Sequence, residues 1–220
     1  MDPVTIIVPT YNDSQFLIKA LPSCLEQDVD KEIIVIDDCS SKPLDLAVQE
    51  IISRHGMKYL RHEKNQGLSA SRNTGIAAAK HPWIIPLDAD DWFYPGAIRA
   101  LLQASASADI VCGNCTDGGV WVPGISTGLS KEKFVQDNPL ICSSLFRKVV
   151  WEGTGGYMVR PGPHYEDWNF WARAYAKGYR FKYINFTVYN HTARPEGMLR
   201  VLHPNRDFYR KLAVEGVFGS

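Results

Sequence analysis

Long hydrophobic runs are missing from this 220-residue chain. No apolar stretch approaches the ~20 residues that a membrane-spanning helix needs, so we expect no transmembrane segment and at most peripheral membrane contact. The first strand-like run begins at Val4, without the basic region, apolar core and cleavage site of a secretory signal. These absences favour a cytoplasmic protein.

The chain also has no formal net charge, because Lys+Arg and Asp+Glu number 24 each. A protein that binds nucleic acid through an overall positive field would carry an excess of basic residues. We therefore expect no nucleic-acid partner.

Cysteine is scarce and odd in number, with five residues scattered through apolar segments. This distribution suits a reducing compartment better than a disulfide framework. Cys112 and Cys115 form one Cys-x-x-Cys pair, but a zinc site would need a second pair or partner histidines. We interpret the pair as a strand end followed by a turn.

The first hundred or so residues alternate short apolar runs with helical spacing. Buried strands are predicted at residues 4–8, 32–36, 57–60, 83–85 and 109–112. Helices are predicted at residues 16–25, 44–52, 68–79 and 97–102. Alternation at these lengths implies an α/β fold with crossover connections and a mostly parallel sheet covered by helices on both faces.

Two prolines fit this pattern poorly. Pro22 lies inside the first predicted helix and should end or kink it. Pro86 follows the fourth strand, where it is tolerated only at a sheet edge or where pairing stops.

The alternation breaks down near residue 118, and Gly, Pro, Ser and Asn become frequent up to residue 163. A helix is then predicted from Glu166 to Gly178, a good left-handed cap, with Trp168, Trp171 and Tyr175 on one face. Strands at 181–183 and 186–189 and a helix at 205–214 follow. We expect one domain over 1–220, with halves of about 1–115 and 116–220.

Polar residues follow three of the predicted strands, in the segments 9–13, 37–41 and 88–91. Ligands of parallel α/β sheets bind outside the carboxyl ends of the strands, so these segments should share one rim. Asp88 and Asp90 are alternate residues and would point the same way. Their repulsion would be relieved by a divalent cation with oxygen ligands.

A structural explanation of the same residues is open. Asn12 or Asp13 could cap the first helix, and Ser40 or Ser41 the second. Glu166 and Asp167 could serve only the dipole of the helix that they open.

Five motifs occur together and in one order along the chain: VTIIVPTYN at Val4–Asn12, IVIDDCSS at Ile34–Ser41, GLSASRNTG at Gly67–Gly75, LDADDW at Leu87–Trp92 and EDWNFW at Glu166–Trp171. With them the chain resembles the family 2 glycosyltransferases, inverting enzymes with the nucleotide-sugar-binding fold called GT-A. The motifs are spread over most of the chain.

The resemblance implies a nucleotide site at the first two strand exits. Pro9, Thr10 and Tyr11 would contact the base, with the tyrosine ring stacked on it. Asp38 would accept a hydrogen bond from the base, supported by Asp37.

The third and fourth motifs carry the rest of the donor site. Arg72 would lie near the base or diphosphate, with a surface ion pair as the alternative. Asp88 would contact the ribose, with Ala89 beside it, and Asp90 would bind a metal that bridges the diphosphate. Asp91 could instead cap the next turn.

The last motif implies the catalytic group. Asp167 matches the family's catalytic carboxylate, and Glu166 matches a neighbour that positions the acceptor. The aromatic stripe is better explained as core, and Trp168 is its one candidate for acceptor contact.

The cofactor implied is Mn²⁺ or Mg²⁺. His191 lies where many enzymes of this fold place a metal-binding histidine, although His203 competes and a loop role is open. Arg194 would close over the diphosphate. Cys39 stands where glycine is common after the aspartate pair, so the turn at Asp38 should differ.

The function implied is inverting, metal-dependent transfer of one sugar from a nucleoside-diphosphate sugar, a UDP-sugar first, to an acceptor hydroxyl. The acceptor would be a carbohydrate or a lipid-linked saccharide, in polysaccharide or glycoconjugate synthesis. The Gln-x-x-Arg-Trp motif of processive members is absent, which indicates single-sugar addition.

Three alternatives are weaker. A nucleotidyltransferase of related fold would show a glycine-rich, basic phosphate loop near the N-terminus. A nucleotide-sugar-binding protein without turnover would not need both acidic motifs. A dinucleotide oxidoreductase would carry Gly-x-Gly-x-x-Gly at the first strand exit. The chain could also be one part of a larger protein, because it ends soon after His191.

Overall fold

The computed structural model describes residues 1–117, 120–122, 128–162, 164–194 and 203–218. Within them the strands are β1 Val4–Thr10, β2 Lys31–Asp37, β3 Lys58–Arg61, β4 Trp83–Pro86, β5 Trp92–Phe93, β6 Ile110–Asp117, β7 Val120–Val122, β8 Leu145–Arg147 and β9 Phe181–His191. The helices are α1 Ser14–Leu25, α2 Leu46–Arg54, α3 Leu68–Ala78, α4 Ala97–Gln103, α5 Lys131–Gln136, α6 Lys148–Thr154, α7 Glu166–Ala176 and α8 Arg206–Val214. Among these residues, no helix has the length and apolar character needed to cross a membrane.

The strands form one sheet in the order β3-β2-β1-β4-β8-β6-β9-β5, with β7 beside β6. The first four strands are parallel, as predicted. Every residue of β1 is buried, which explains why its sequence is mostly apolar, with only Thr5 and Thr10 polar. β8 runs antiparallel to both β4 and β6, and β5 is antiparallel to β9. The α/β prediction is therefore confirmed, with a mixed sheet in the second half.

The strands β6 and β9 are longer than the sequence predicts. β6 continues to Asp117, and the two predicted segments at 181–183 and 186–189 form one strand. The β6–β9 register shifts on both sides of Asn114, so the interruption is absorbed by an irregularity in pairing and not by a turn.

Cys112 and Cys115 both lie inside β6 and are buried, so the predicted strand end and turn are wrong. Burial raises the pKa of Cys112 to about 12 and that of Cys115 to about 11. Both are thus core thiols of low reactivity.

The two prolines behave differently. The helix α1 continues through Pro22, and the Glu26 N–H donates to the Pro22 carbonyl at 2.9 Å, so the helix does not end at Pro22. The carbonyl that loses its helical partner belongs to Ile18, a residue that is 48% exposed. Pro86 ends β4 in register with Ile7 of β1, but on the other side of the strand it lies beyond the β4–β8 pairing, which involves only Trp83 and Ile84. Pairing therefore stops on that side, which is where a proline is tolerated.

The helix α7 begins at Glu166, as predicted, and is followed by Gly178 with a φ of +79°. Its apolar face packs on the sheet, with the Phe146 ring centroid 5.2 Å from that of Phe170 and 5.7 Å from that of Trp171. This packing fixes the N-terminus of α7, and with it Asp167, against the sheet.

The helix α3 packs closely on β1 and β2 at Gly75. A Cβ atom at this position would lie 2.7 Å from both Ile36 Cδ1 and Ile7 Cγ2. Such distances are far inside normal contact, so the helix can approach the sheet only because Gly75 has no side chain.

We predict that Gly75→Ala destabilises the protein by about 1–3 kcal/mol, the usual cost of overpacking a core. Gly128→Ala is the matched control, since a Cβ there meets no atom within 4 Å. Urea unfolding followed by tryptophan fluorescence measures both. Equal stability of the two variants would contradict the close approach of α3.

Candidate active site

A cleft of about 1190 Å³ opens at the carboxyl ends of β1, β2 and β4. The predicted residues in its walls are Pro9, Thr10, Tyr11, Asp38, Arg72, Asp88, Ala89, Asp90, Glu166, Asp167, Trp168 and His191. Asp37 lies outside this lining. The fold thus brings residues from all five motifs to one cavity, as the strand-exit rule predicts.

The first two strand exits are joined by polar groups for which helix capping was the alternative explanation; neither α1 nor α2 has a side-chain cap. The Asn12 N–H donates to Ser40 Oγ at 2.9 Å, and Asn12 Oδ1 accepts from the Ser41 N–H at 2.8 Å. Asn12 itself has a φ of +58°. The capping explanation is therefore wrong, because these polar groups bond across the rim between two loops.

Asp37 supports the turn beside the cleft. Its carboxylate accepts from the Ser40 N–H and the Tyr59 hydroxyl, each at 2.8 Å, and forms an ion pair with Arg61. Burial raises the pKa of Asp37, but these partners outweigh it and the net pKa is lowered. Cys39 has a φ of +64°, so it adopts the left-handed conformation that glycine would favour.

Asp38 holds the loop that leads into α3. It is 3% exposed and accepts from the N–H groups of Gln66 and Gly67 at 2.8 and 2.7 Å. His62 Nδ1 lies 2.7 Å from the same carboxylate. These contacts occupy most of the roughly four acceptor positions of a carboxylate, so a bond to the base stays a prediction.

Arg72 connects the two acidic motifs. It is 1% exposed, Nη1 donates to Glu166 Oε1 at 2.5 Å, and Nη2 donates to Asp88 Oδ1 at 2.7 Å. Cys142 Sγ lies 2.9 Å from Nη2. The surface ion pair is thus wrong, because Arg72 is a buried bridge between Asp88 and Glu166. Arg72 also lines the cleft, so its place near the base or diphosphate stays a prediction.

Charge reinforces this bridge. Burial lowers the pKa of Arg72, but the facing Asp88 and Glu166 outweigh it, and the net pKa is raised well above its ordinary value. Arg72 is therefore a permanent cation in the cleft wall.

Asp167 is partly exposed to the cleft beside this bridge. Its Oδ1 accepts from the Trp168 N–H at 2.7 Å, and its Oδ2 accepts from Asn138 Nδ2 at 2.9 Å. Burial, together with the charge of Glu166 and against that of Arg72, raises the pKa of Asp167 to about 7. A carboxylate with this pKa can take up a proton near neutral pH.

Two carboxylates at the strand exits, Asp90 and Asp13, form ion pairs with a second arginine, Arg194. Arg194 Nε lies 2.5 Å from Asp90 Oδ2, and Arg194 Nη1 lies 2.7 Å from Asp13 Oδ1. Burial and the charge of Asp88 raise the pKa of Asp90, while Arg194 opposes them. Arg194 therefore supplies a positive charge beside Asp90, and metal binding by Asp90 stays a prediction.

Asp91 holds the end of β9 and does not cap the next turn. It is 2% exposed, and its carboxylate accepts from the Thr192 N–H at 2.8 Å. The Thr192 hydroxyl donates to the Asp90 carbonyl at 2.5 Å. Burial, with the charges of Asp88 and Asp90, raises the pKa of Asp91 to about 9.

Asp90 and His191 line the same cleft and are residue types that can bind a divalent cation. His191 Nδ1 lies 3.0 Å from Asp117 Oδ1, the carboxylate–histidine pairing typical of metal-ligating histidines. Among the described residues, no group of three His, Cys, Asp or Glu side chains forms a complete metal site. Mg²⁺ and Mn²⁺ are commonly held by one or two protein ligands with water and phosphate oxygens, so a partial site suffices. The side chain of His203 lies outside the described residues.

Trp168 is 1% exposed, and its Nε1 donates to the Phe134 carbonyl at 2.8 Å. Trp171 is fully buried and Tyr175 packs on the same core, which confirms the structural reading of the stripe. An edge of Trp168 lines the cleft, so its acceptor contact stays a prediction.

The sequence analysis missed several residues of the cleft. Asn138 and Cys142 lie in the segment without periodicity, so nothing in the sequence marked them. Asp117 could have been found, because it lies within a few residues of the predicted strand 109–112. Asp13 was named only as part of the polar rim and as a possible helix cap.

The matched family model is Glycosyl transferase family 2, over residues 5–121, more than half of the chain. The chain therefore belongs to the glycosyl transferase family 2, and its fold is the GT-A fold of its structural neighbours.

Two relatives illustrate how the identity and the coverage vary among similar proteins. The GalNAc(5)-diNAcBac-PP-undecaprenol beta-1,3-glucosyltransferase of Campylobacter jejuni is 31% identical over 166 residues, 69% of this chain and 54% of the relative. The chondroitin synthase of Escherichia coli is 26% identical over 223 residues, 96% of this chain and 31% of the relative. The chain thus spans only about a third to a half of these relatives.

Two solved structures share the fold at 18% identity. S. aureus TarS in complex with UDP-GlcNAc has a TM-score of 0.73 and aligns over 97% of this chain and 66% of its own. The mannosyltransferase PcManGT of Pyrobaculum calidifontis, with GDP-Man and Mn²⁺, has a TM-score of 0.72 and aligns over 98% and 67%.

We predict that Arg72→Met lowers the free energy of unfolding by about 3–5 kcal/mol, because it leaves Glu166 and Asp88 without their buried partner. Arg99→Met is the control, since Arg99 pairs with Asp28 at the surface and should cost far less. Denaturant unfolding at pH 7 measures both. Similar losses in the two variants would show that the bridge has no structural role.

Proposed function

We propose that this chain transfers one sugar from a nucleoside-diphosphate sugar to an acceptor hydroxyl with inversion of configuration. The observation that carries the proposal is the Asp88–Arg72–Glu166 bridge. It holds a donor-side acidic pair and a second acidic pair, which includes Asp167, on one cleft. A binding protein without turnover would not need the second pair.

The donor lies along the strand exits in this proposal. Tyr11 is 47% exposed in the cleft, so its ring is free to stack on a base, with Pro9, Thr10 and Asp38 beside it. The TarS complexes contain UDP and UDP-GlcNAc, whereas the PcManGT complex contains GDP-Man. Uracil is therefore the first base to test.

Asp167 is the general base. It removes the proton of the acceptor hydroxyl while that oxygen attacks the anomeric carbon, and the nucleoside diphosphate departs from the opposite face. Glu166 positions the acceptor, and Arg72 holds Glu166 in place. A pKa of about 7 leaves Asp167 largely ionised just above neutral pH while keeping it basic enough to accept the proton.

Asp90 and His191 are the residues that would hold Mn²⁺ or Mg²⁺. When bound, the metal would neutralise charge on the departing diphosphate. Arg194 supports this from the same side, because it carries a positive charge next to Asp90 and lines the cleft. The Mn²⁺ in the PcManGT complex is consistent with this assignment.

The acceptor enters at the side of Asp167 and Trp168 in this proposal. The names of two relatives refer to an undecaprenol-linked saccharide and to chondroitin, which supports a lipid-linked or free saccharide acceptor in polysaccharide or glycoconjugate synthesis. All five cysteines, which lie in the described part of the chain, are free thiols. This supports a cytoplasmic location.

We predict that Asp167→Asn lowers kcat by about 10²–10⁴-fold, the usual contribution of a general base, while leaving donor binding nearly unchanged. Release of nucleoside diphosphate from a UDP-sugar panel measures turnover, and calorimetry measures donor binding. Asp28→Asn, at an exposed residue, is the matched control. Loss of donor binding in a folded Asp167→Asn protein would refute the assigned role.

We predict that EDTA abolishes turnover and that Asp90→Asn weakens Mn²⁺-dependent UDP binding by at least about tenfold. Calorimetric titration of UDP with and without Mn²⁺ measures the effect, again against Asp28→Asn. The metal should strengthen UDP binding in the control and not in Asp90→Asn. Full activity in EDTA would exclude the metal from the reaction.

A further inference from the structure

We infer that Asn138 is a positioning residue that fixes the Asp167 carboxylate for proton abstraction. The inference rests on the proposed function, because it requires Asp167 to be the base. Asn138 lies in the loop after α5, in the part of the chain where the sequence showed no periodicity.

The contacts hold both oxygens of the carboxylate. Asn138 Nδ2 donates to Asp167 Oδ2 at 2.9 Å, and the Trp168 N–H donates to Asp167 Oδ1 at 2.7 Å. One donor on each oxygen fixes the rotation of the carboxylate about its own axis. The remaining acceptor positions are free to meet a hydroxyl from the cleft.

The amide of Asn138 is itself oriented. Its Oδ1 accepts from the Leu140 N–H at 3.3 Å. Because this N–H needs an acceptor, the amide oxygen must face Leu140, and the NH₂ group therefore faces Asp167. The backbone N–H of Asn138 donates to Asp137 Oδ1 at 2.8 Å. Asp137 Oδ2 lies 2.8 Å from Arg206 Nη2, so the loop is tied to α8. The NH₂ group of Asn138 is therefore held in the orientation in which it donates to Asp167.

Several ionisable groups also face Asp167. They are Glu166 beside it, Arg72 on α3, Asp88 after β4, and Cys142, Tyr157 and Tyr165 from the connecting segments. Asn138 differs from all of them because it is neutral at every pH and donates directly to the carboxylate. A hydrogen bond to the charged form favours that form, so Asn138 keeps Asp167 ionised at lower pH than its burial would allow.

The test is the pH dependence of kcat/KM for Asn138→Ala. For the unsubstituted protein the acid limb should lie near the Asp167 pKa of about 7, below which the rate falls. Asn138→Ala should move this limb to higher pH and lower kcat roughly ten- to a hundredfold, as expected for a lost hydrogen bond to a charged group. Donor binding, measured by calorimetry with UDP and Mn²⁺, should not change.

Asn185→Ala is the matched control. Asn185 is exposed on β9, and its Oδ1 accepts an amide hydrogen bond from Asn114 at 3.1 Å, outside the cleft. The same substitution there should leave the acid limb unmoved. Asn138→Asp keeps the shape of the side chain and replaces its NH₂ group by a carboxyl oxygen. It should move the acid limb to still higher pH, and it provides the test if the alanine variant fails to fold.

Asp167→Asn distinguishes failure of the general-base role of Asp167 from failure of the positioning role of Asn138. If it retains turnover, the base assignment fails and with it the proposed mechanism. If it is inactive while folded Asn138→Ala and Asn138→Asp keep the original limb and kcat, only the role of Asn138 is overturned. In the Asp167→Asn background, Asn138→Ala should have no further effect on turnover, because there is no carboxylate left to position.

Discussion

The buried guanidinium of Arg72 is the contact on which the site depends. It joins Asp88 and Glu166, which are 16 and 94 residues away from it in sequence. Buried ion pairs often add little net stability, because desolvation offsets their attraction. The value of this bridge is therefore geometric: it fixes the end of β4 relative to the start of α7. Without the cation, the two carboxylates would repel each other across the cleft wall.

The site also works against the stability of the fold. A carboxyl group whose pKa is higher in the folded than in the unfolded protein stabilises the fold at low pH, and this stabilisation is lost as pH rises. For Asp167 the loss runs from about pH 4, the ordinary value, to about 7. Asp91, with a pKa of about 9, adds a similar penalty. The packing of Phe146, Phe170 and Trp171 beneath α7 offsets part of it.

The sequence predicted the donor half well because two local rules apply there. Unbroken apolar runs identify buried parallel strands, and their exits identify the rim, so Tyr11, Asp38 and Asp90 could be placed without knowledge of packing. The bridge from Arg72 to Asp88 and Glu166 could not be predicted, since only tertiary contact decides between a surface and a buried ion pair. The proposed role of Asn138 could not be predicted for the same reason, because it depends on Asp167, 29 positions away in sequence.

The family match and the proposed chemistry lie in different parts of the chain. Residues 5–121 contain the donor motifs, whereas Asp167, His191 and Arg194 follow them. The two parts are coupled at Asp91, which holds Thr192, and at Asp13, which pairs with Arg194 across 181 residues. The cleft is therefore complete only when the whole chain has folded. Membership of the family is established mainly by the donor half, whereas the proposed general base and the acceptor side of the cleft depend on residues that the family model does not cover.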